Sequence, residues 1–242
     1  MSAYGALAAW YDALTRDVPY GEFADFYQAE FAADGGEFRL LLDLCCGTGT
    51  LTRILAERGY EMIGADASPD MLMRARENAE GLPAPPLFLC QSAEELDLFG
   101  TVDAAVCSLD GMDYIPPAAL PEVFRRLRLF VRPGGLLIFD VRTPASFRAL
   151  DGQVFVDETE DVLCLWRADF DGDEDAMRYG MDIFSREGEL WRRECEEHVE
   201  YAHAPEFLLE TMEKAGFVSA ALRPDCPQSG DGRLFITAKR GN

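Results

Sequence analysis

The sequence predicts a doubly wound α/β fold, a mostly parallel seven-stranded sheet interrupted late in the chain by an antiparallel β insertion. Three observations carry that prediction. Between residues 39 and 141, short continuously apolar runs alternate with amphipathic stretches, as in a parallel sheet covered on both faces. Near residue 151 the rhythm changes to longer alternating runs joined by Asp/Gly turns, the mark of an antiparallel meander. After residue 203 a helical stretch and two apolar runs return. With 242 residues, 48% of them hydrophobic and 11% aromatic, the chain can bury a sizeable core, which excludes disorder.

Each element has its own signal. Residues 3–33 read as helical, with Leu7, Trp10, Tyr11 and Leu14 on one face and Phe23, Phe26, Tyr27, Glu30 and Phe31 following a break at Pro19. Strands are expected at 40–44, 61–65, 87–90, 102–107 and 136–141. Helix 50–58 ends at Gly59, and a second helix opens at Ser68-Pro69 with Ser as N-cap and Pro in the first turn. In that helix Leu72, Ala75 and Ala79 face inward. Residues 121–130 form a third helix, followed by a turn at Pro133-Gly134-Gly135. The insertion supplies strands at 154–157, 162–170, 177–184 and 190–201. Helix 205–215, capped by Gly216, and strands 217–223 and 234–238 complete the sheet. The expected organisation is a core of residues 1–150 and 204–242, with residues 1–37 as a helical cover and 151–203 as a lid over a substrate.

Charge narrows the partners. There are 22 Lys and Arg against 44 Asp and Glu, a formal net charge of −22. Such a field repels nucleic-acid phosphates and anionic membrane surfaces. The Arg125, Arg126, Arg128 and Arg132 cluster has helical spacing and reads as a solvated face. No apolar run approaches transmembrane length, and the first residues lack the basic region and apolar core of a signal peptide. Seven cysteines without CxxC spacing read as reduced thiols of a cytoplasmic protein, monomer or homodimer. Residues 151–200 alone hold 17 acidic and 5 basic side chains. Asp169, Asp171 and Asp173 imitate the start of a calcium loop. Glu174 and Gly180 stand where that loop needs Gly and Glu, so no metal is expected.

In a doubly wound sheet, ligands bind beyond the carboxyl ends of the strands, where strand order reverses. The first strand runs into Asp43-Leu44-Cys45-Cys46-Gly47-Thr48-Gly49-Thr50, where Gly47 and Gly49 let the backbone bend and approach a ligand. A plain tight connection explains the same pair. Asp66 ends the second strand beside this turn, where a carboxylate can accept two hydrogen bonds from a ribose diol. The helix N-terminal charge it might otherwise supply is already met by Asp70. A dinucleotide fingerprint needs a third glycine where Thr52 stands, and Asp43 would repel a pyrophosphate. A cationic ligand with an ammonium and no phosphate suits the loop better.

Asp43-Leu44-Cys45-Cys46-Gly47-Thr48-Gly49, Asp66-Ala67-Ser68-Pro69-Asp70-Met71-Leu72 and Arg132-Pro133-Gly134-Gly135 resemble, in order and spacing, the motifs of class I S-adenosylmethionine-dependent methyltransferases. The resemblance covers roughly residues 38–142. The remainder, including Tyr4, Tyr11-Asp12 and Tyr20, is similar to a small-molecule subgroup with a helical cover and a β insertion on a Rossmann-like sheet. The resemblance implies S-adenosylmethionine as cofactor and a small-molecule methyl acceptor. It places Asp43, Cys45, Gly47 and Gly49 around the methionine part, Asp66 on the ribose, Ala67 and Met71 beside the adenine, and Ser92 and Ala93 at its edge. Ser108 would line the methyl-transfer side, and Tyr11 would close over the cofactor. Tyr20, Asp113 and Tyr114 would meet the substrate. Two departures stand out. Cys45 replaces the first glycine, at a strand end expected to hold it without positive φ. Ser92 replaces an acid that often meets the adenine amine.

Methyl transfer is an in-line displacement whose main demand is alignment of the nucleophile. Asp110 and His198 are the candidate catalytic groups, although Asp110 could equally cap its loop and a lone strand histidine is commonly structural. His203, at a helix start, is a weaker candidate. The acids of the insertion could line a pocket for a cationic or amine substrate, or keep an exposed hairpin soluble. A nicotinamide-dependent oxidoreductase and a non-catalytic nucleoside-binding protein remain as alternatives.

Overall fold

The computed structural model describes residues 4–242, so residue 3, the start of the expected helical stretch, lies outside it. The chain begins with a 3₁₀ turn over 7–9, then α1 (Tyr11–Leu14) and α2 (Tyr20–Asp34). Strands and helices then alternate as β1 (Leu40–Leu44), α3 (Thr50–Glu57), β2 (Glu61–Asp66), α4 (Pro69–Asn78), β3 (Leu87–Cys90), β4 (Val102–Cys107), α5 (Leu120–Phe130) and β5 (Val131–Arg142). After α6 (Pro144–Leu150) come β6 (Val154–Glu158), β7 (Val162–Asp171), β8 (Ala176–Glu187) and β9 (Leu190–Tyr201). The chain closes with α7 (Pro205–Ala215), β10 (Phe217–Arg223) and β11 (Arg233–Arg240).

Seven strands form one sheet in the order β3-β2-β1-β4-β5-β11-β10, with β11 antiparallel to both neighbours. Strand order reverses between β1 and β4, which opens a crevice beyond their carboxyl ends. β6 to β9 form a separate four-stranded antiparallel sheet. The two faces of the main sheet carry separate apolar layers. Phe124, Phe139 and Met212 pack on one, and Phe23, Tyr27 and Phe31 of α2 pack with Leu41 and Phe235 on the other. A third layer joins the second sheet to the chain start, through Leu7, Phe147, Met177 and Met181.

Three local expectations change. The helical stretch before the expected break at Pro19 is only a 3₁₀ turn and the four-residue α1, and residues 15–19 make a non-helical link ending at Pro19, whose ring cannot continue a helix. The Pro133-Gly134-Gly135 turn is a bulge inside continuous β5, opposite a register shift in β4. A Cβ on Gly135 would lie 2.4 Å from the Asp103 carbonyl oxygen, so only glycine lets the strands close there. Helix α6 was not expected. It is opened by Thr143, whose side chain accepts from the Ser146 N–H, with Pro144 in the first turn. The arginine cluster is an ion-paired surface, with Arg125 and Arg126 on Glu122 and Arg132 on Asp103.

Candidate active site

The crevice beyond β1 and β4 holds a cavity of about 300 Å³. Asp43, Gly47, Asp66, Met71, Ser108 and Tyr114 are among the residues lining it. Asp43 is buried at the end of β1 and accepts from the Thr52 hydroxyl. Burial pushes its carboxyl up to about 7, against the Thr52 bond and with help from the Asp66 charge. Asp66 is half-buried and accepts from the backbone N–H groups of Gly47 and Ser68, each at 2.8 Å. Burial raises its carboxyl too, although those N–H groups pull it back. Two carboxylates and no cationic side chain line the cavity among the described residues. Such a wall fits a ligand that carries its own positive charge and offers a phosphate nothing.

The loop differs from its sequence reading in two ways. Cys45 adopts φ +56°, in the left-handed region that costs a residue with a Cβ about 1–2 kcal/mol. The turn out of β1 is too sharp for the extended conformation expected there. Gly49, by contrast, lies off the cavity. Its φ is +71°, and a Cβ on it would lie 3.0 Å from Ala75 Cβ and 3.2 Å from the Phe88 ring, so it lets α4 and β3 pack on the loop. Asp12 of the cover accepts from Thr48 Oγ1, Thr50 Oγ1 and Asn78 Nδ2, which ties α1 across the loop. Tyr11, Tyr20, Cys45, Gly47, Ala67, Met71, Ala93 and Ser108 all line the cavity. Ser92 does not, although its neighbours Gln91 and Ala93 do, because its backbone turns into a 3₁₀ segment.

A second cavity, of about 390 Å³, lies under the antiparallel sheet and shares Tyr4, Tyr11, Leu109 and Tyr114 with the first. Asp110, Arg142, Glu200 and Arg233 line it. Asp110 accepts from Arg233 and Arg142, and Arg233 also pairs with buried Asp140. Burial opposes ionisation of Asp110, but the two guanidinium groups outweigh it and hold the carboxyl below its ordinary range. A carboxylate so engaged is a poor proton acceptor, so the expected base role does not suit it. Asp113 is fully buried, lines neither cavity, and accepts from the Arg142 N–H, so the expected substrate contact is not made.

His198 does not hang over the cleft. It is buried behind Tyr114, bonded through Nδ1 to the Tyr114 hydroxyl at 3.1 Å and through Nε2 to Glu196 at 3.0 Å. His203 is buried too and donates from Nε2 to the Ile115 carbonyl at 3.1 Å. Glu200 was missed by the sequence reading. Burial and the Asp110 charge push its carboxyl up to about 8, and its Oε2 has no hydrogen-bond partner among the described residues. The signal was present, since the buried face of β9 reads Glu196, His198, Glu200 where an ordinary half-buried strand reads apolar.

Compared with known proteins, residues 41–135 match the methyltransferase domain family. The chain is 30% identical over 246 residues to the putative methyltransferase YqeM of Bacillus subtilis, covering 98% of this chain and 97% of that protein. The chain belongs to the class I S-adenosylmethionine-dependent methyltransferases. Its fold matches, with a TM-score of 0.85 and 26% identity over the whole of both chains, the crystal structure of an S-adenosylmethionine-dependent methyltransferase from Clostridium acetobutylicum. The sugar N-methyltransferase KedS8 from a Streptoalloteichus species shares the fold with a TM-score of 0.84, at 24% identity over 100% of this chain and 97% of that one. For this methyltransferase the nicotinamide alternative falls away, in keeping with a cavity that offers a pyrophosphate two carboxylates and no cation.

Proposed function

We propose that this methyltransferase transfers a methyl group from S-adenosylmethionine to the amine of a small molecule seated in the cavity beneath the antiparallel sheet. When bound, the cofactor supplies a methyl group activated by its sulfonium. Asp66 would hold the ribose hydroxyls, Asp43 would face the positively charged methionine end, and Met71 and Ala93 would flank the adenine. The observation that supports an amine is Glu200. Asp110 on the second cavity and the buried Asp140 are balanced by Arg142 and Arg233, while Glu200 has no ionic partner among the described residues and its Oε2 no hydrogen bond. A cationic amine supplies what that carboxyl lacks. The fold shared with a sugar N-methyltransferase agrees with this reading. Tyr11, Leu109 and Tyr114, common to both cavities, would align the acceptor with the methyl group and exclude water.

The test is a panel of amino sugars, amino acids and other amines beside phenols and hydroxy acids, read as release of S-adenosylhomocysteine. Turnover confined to amines, and weakened in KM by Glu200→Gln, is the expected result. Turnover of phenols or hydroxy acids without any amine would overturn the amine assignment. Inactivity across the panel with intact cofactor binding would favour a non-catalytic nucleoside-binding protein.

A further inference from the structure

We propose that Tyr114, His198 and Glu196 form a proton relay that relieves the methyl acceptor of a proton, with Tyr114 the group that meets it. The inference rests on the amine reading above. An amine paired with the Glu200 carboxylate is held as its ammonium, which has no lone pair and cannot attack. Something must take a proton first. Asp110 is engaged by two arginines, and Asp113 lines no cavity.

Tyr114 lines both cavities, so the residue stands at the junction where acceptor and methyl group would meet. Behind it runs an unbroken chain, Tyr114 Oη to His198 Nδ1 at 3.1 Å and His198 Nε2 to Glu196 Oε2 at 3.0 Å. Glu196 is also pinned by the N–H groups of Tyr4, Ala6 and Leu7. Burial works against its ionisation, but the His198 bond and the Leu7 and Ala6 N–H groups outweigh it and keep the carboxyl below its ordinary value. A carboxylate there requires the proton on His198 Nε2, which leaves the Nδ1 lone pair to accept from Tyr114. The phenol oxygen then keeps lone pairs with which to accept a proton. Burial pushes Tyr114 well above its ordinary range, so it hands a proton on without giving one up outright.

The step balances as follows. The ammonium N–H proton moves to Tyr114 Oη as the phenolic proton moves to His198 Nδ1, leaving a neutral amine, a neutral tyrosine and an imidazolium against the Glu196 carboxylate. The amine lone pair then forms the new N–C bond while the S–C bond breaks with its electron pair on sulfur. The product is an N-methylammonium. The reverse hop through Tyr114 to cavity water resets the relay. The cover takes part in the assembly, since the Tyr4 ring packs edge-on against His198 at 4.5 Å and the neighbouring N–H groups orient Glu196. The other titratable groups around Tyr114 are Tyr4, Tyr11 and Glu200; Tyr4 and Glu200 lie within hydrogen-bonding reach of its hydroxyl, and Glu200 is the rival proton acceptor.

Nitrogen NMR of the labelled protein tests the wiring directly, because the chain has two histidines. His198 should show a protonated Nε2 and a hydrogen-bonded, unprotonated Nδ1, and Tyr114→Phe should shift Nδ1 alone. A protonated Nδ1 in the neutral ring would overturn the proposal. With an amine that the panel identifies, Tyr114→Phe and His198→Phe should each lower kcat about 10²-fold. Cofactor affinity by calorimetry should stay unchanged in His198→Phe, since His198 lines neither cavity. The acid limb of both variants should also move upward towards the ionisation of the free amine, so that raising pH restores much of the rate. A uniform loss across pH would mark these residues as structural, and a limb displaced only by Glu200→Gln would move the base to Glu200. Wild type that binds cofactor but turns over no amine defeats the acceptor reading; wild-type turnover that survives Tyr114→Phe defeats the relay alone.

Discussion

Asp43 and Asp66 face one cavity from the ends of adjacent strands, and neither has a cationic partner among the described residues. A cation bound beside Asp43, whose carboxyl sits at about 7 in the free protein, favours the ionised form. Binding should therefore release protons near neutrality. Affinity for S-adenosylmethionine should climb from about pH 6 to about pH 8, then level off. Calorimetry in buffers of different ionisation enthalpy should show the release, and Asp43→Asn should abolish it. The same shift acts on folding with the opposite preference. The folded pKa lies above the unfolded one, so this group's contribution to stability is complete below about pH 4 and falls away as pH rises through about 7. Asp66 makes a separate prediction. If it holds the ribose, Asp66→Ala removes two charge-assisted bonds of about 1.5–3 kcal/mol each, and cofactor affinity should fall by roughly 3 kcal/mol or more. Unchanged affinity would remove Asp66 from the ribose. Both residues were legible beforehand because an acid at the end of a buried strand has few structural uses. Cys45 was misread because a sequence does not show the sign of φ.

Elements place these groups, and the loop between β1 and α3 bears the greatest constraint. Gly49→Ala would impose both a left-handed φ of +71° and a Cβ at 3.0 Å from Ala75 Cβ, with the Phe88 ring at 3.2 Å. The loss of stability should be about 1–3 kcal/mol, read as a lower urea midpoint with an unchanged slope. The cover is held differently, by side-chain bonds from Asp12 to Thr48, Thr50 and Asn78. Asp12→Ala should speed amide exchange and proteolysis near residues 11–19 while leaving the global unfolding midpoint within about 1 kcal/mol, as a local opening does. Most strands were readable because buried parallel strands are short and uninterrupted. α6 carries the same Thr-Pro opening as the Ser-Pro of α4, but seven residues are too few to establish a helical period. The role of β9 was obscured for another reason. Its inward face is polar, and only the folded chain shows why: Glu200 lines the second cavity, while Glu196 and His198 are buried against the chain start and Tyr114.

Across the whole molecule, the parallel core opens a carboxylate-lined cavity at its strand reversal while the antiparallel sheet roofs a second cavity that no single segment of sequence reveals. The ion network of Asp110, Arg142, Arg233 and Asp140 joins residues from β5, β11 and the loop after β4, so its members looked unrelated in sequence. Net charge, however, was plain from composition, and its consequence is kinetic. A surface carrying −22 attracts a ligand of net charge about +1 from beyond contact range. That attraction weakens as the screening length shrinks from about 30 Å at 0.01 M salt to about 3 Å at 1 M. The dissociation rate depends mainly on the cavity's short-range contacts, which salt screens less. Stopped-flow binding of S-adenosylmethionine should thus show an association rate that drops several-fold over this range, with dissociation nearly constant. S-adenosylhomocysteine lacks the sulfonium charge and should show a much flatter salt dependence. Parallel salt slopes for the two ligands would mean that the field plays no part in recruiting the cofactor.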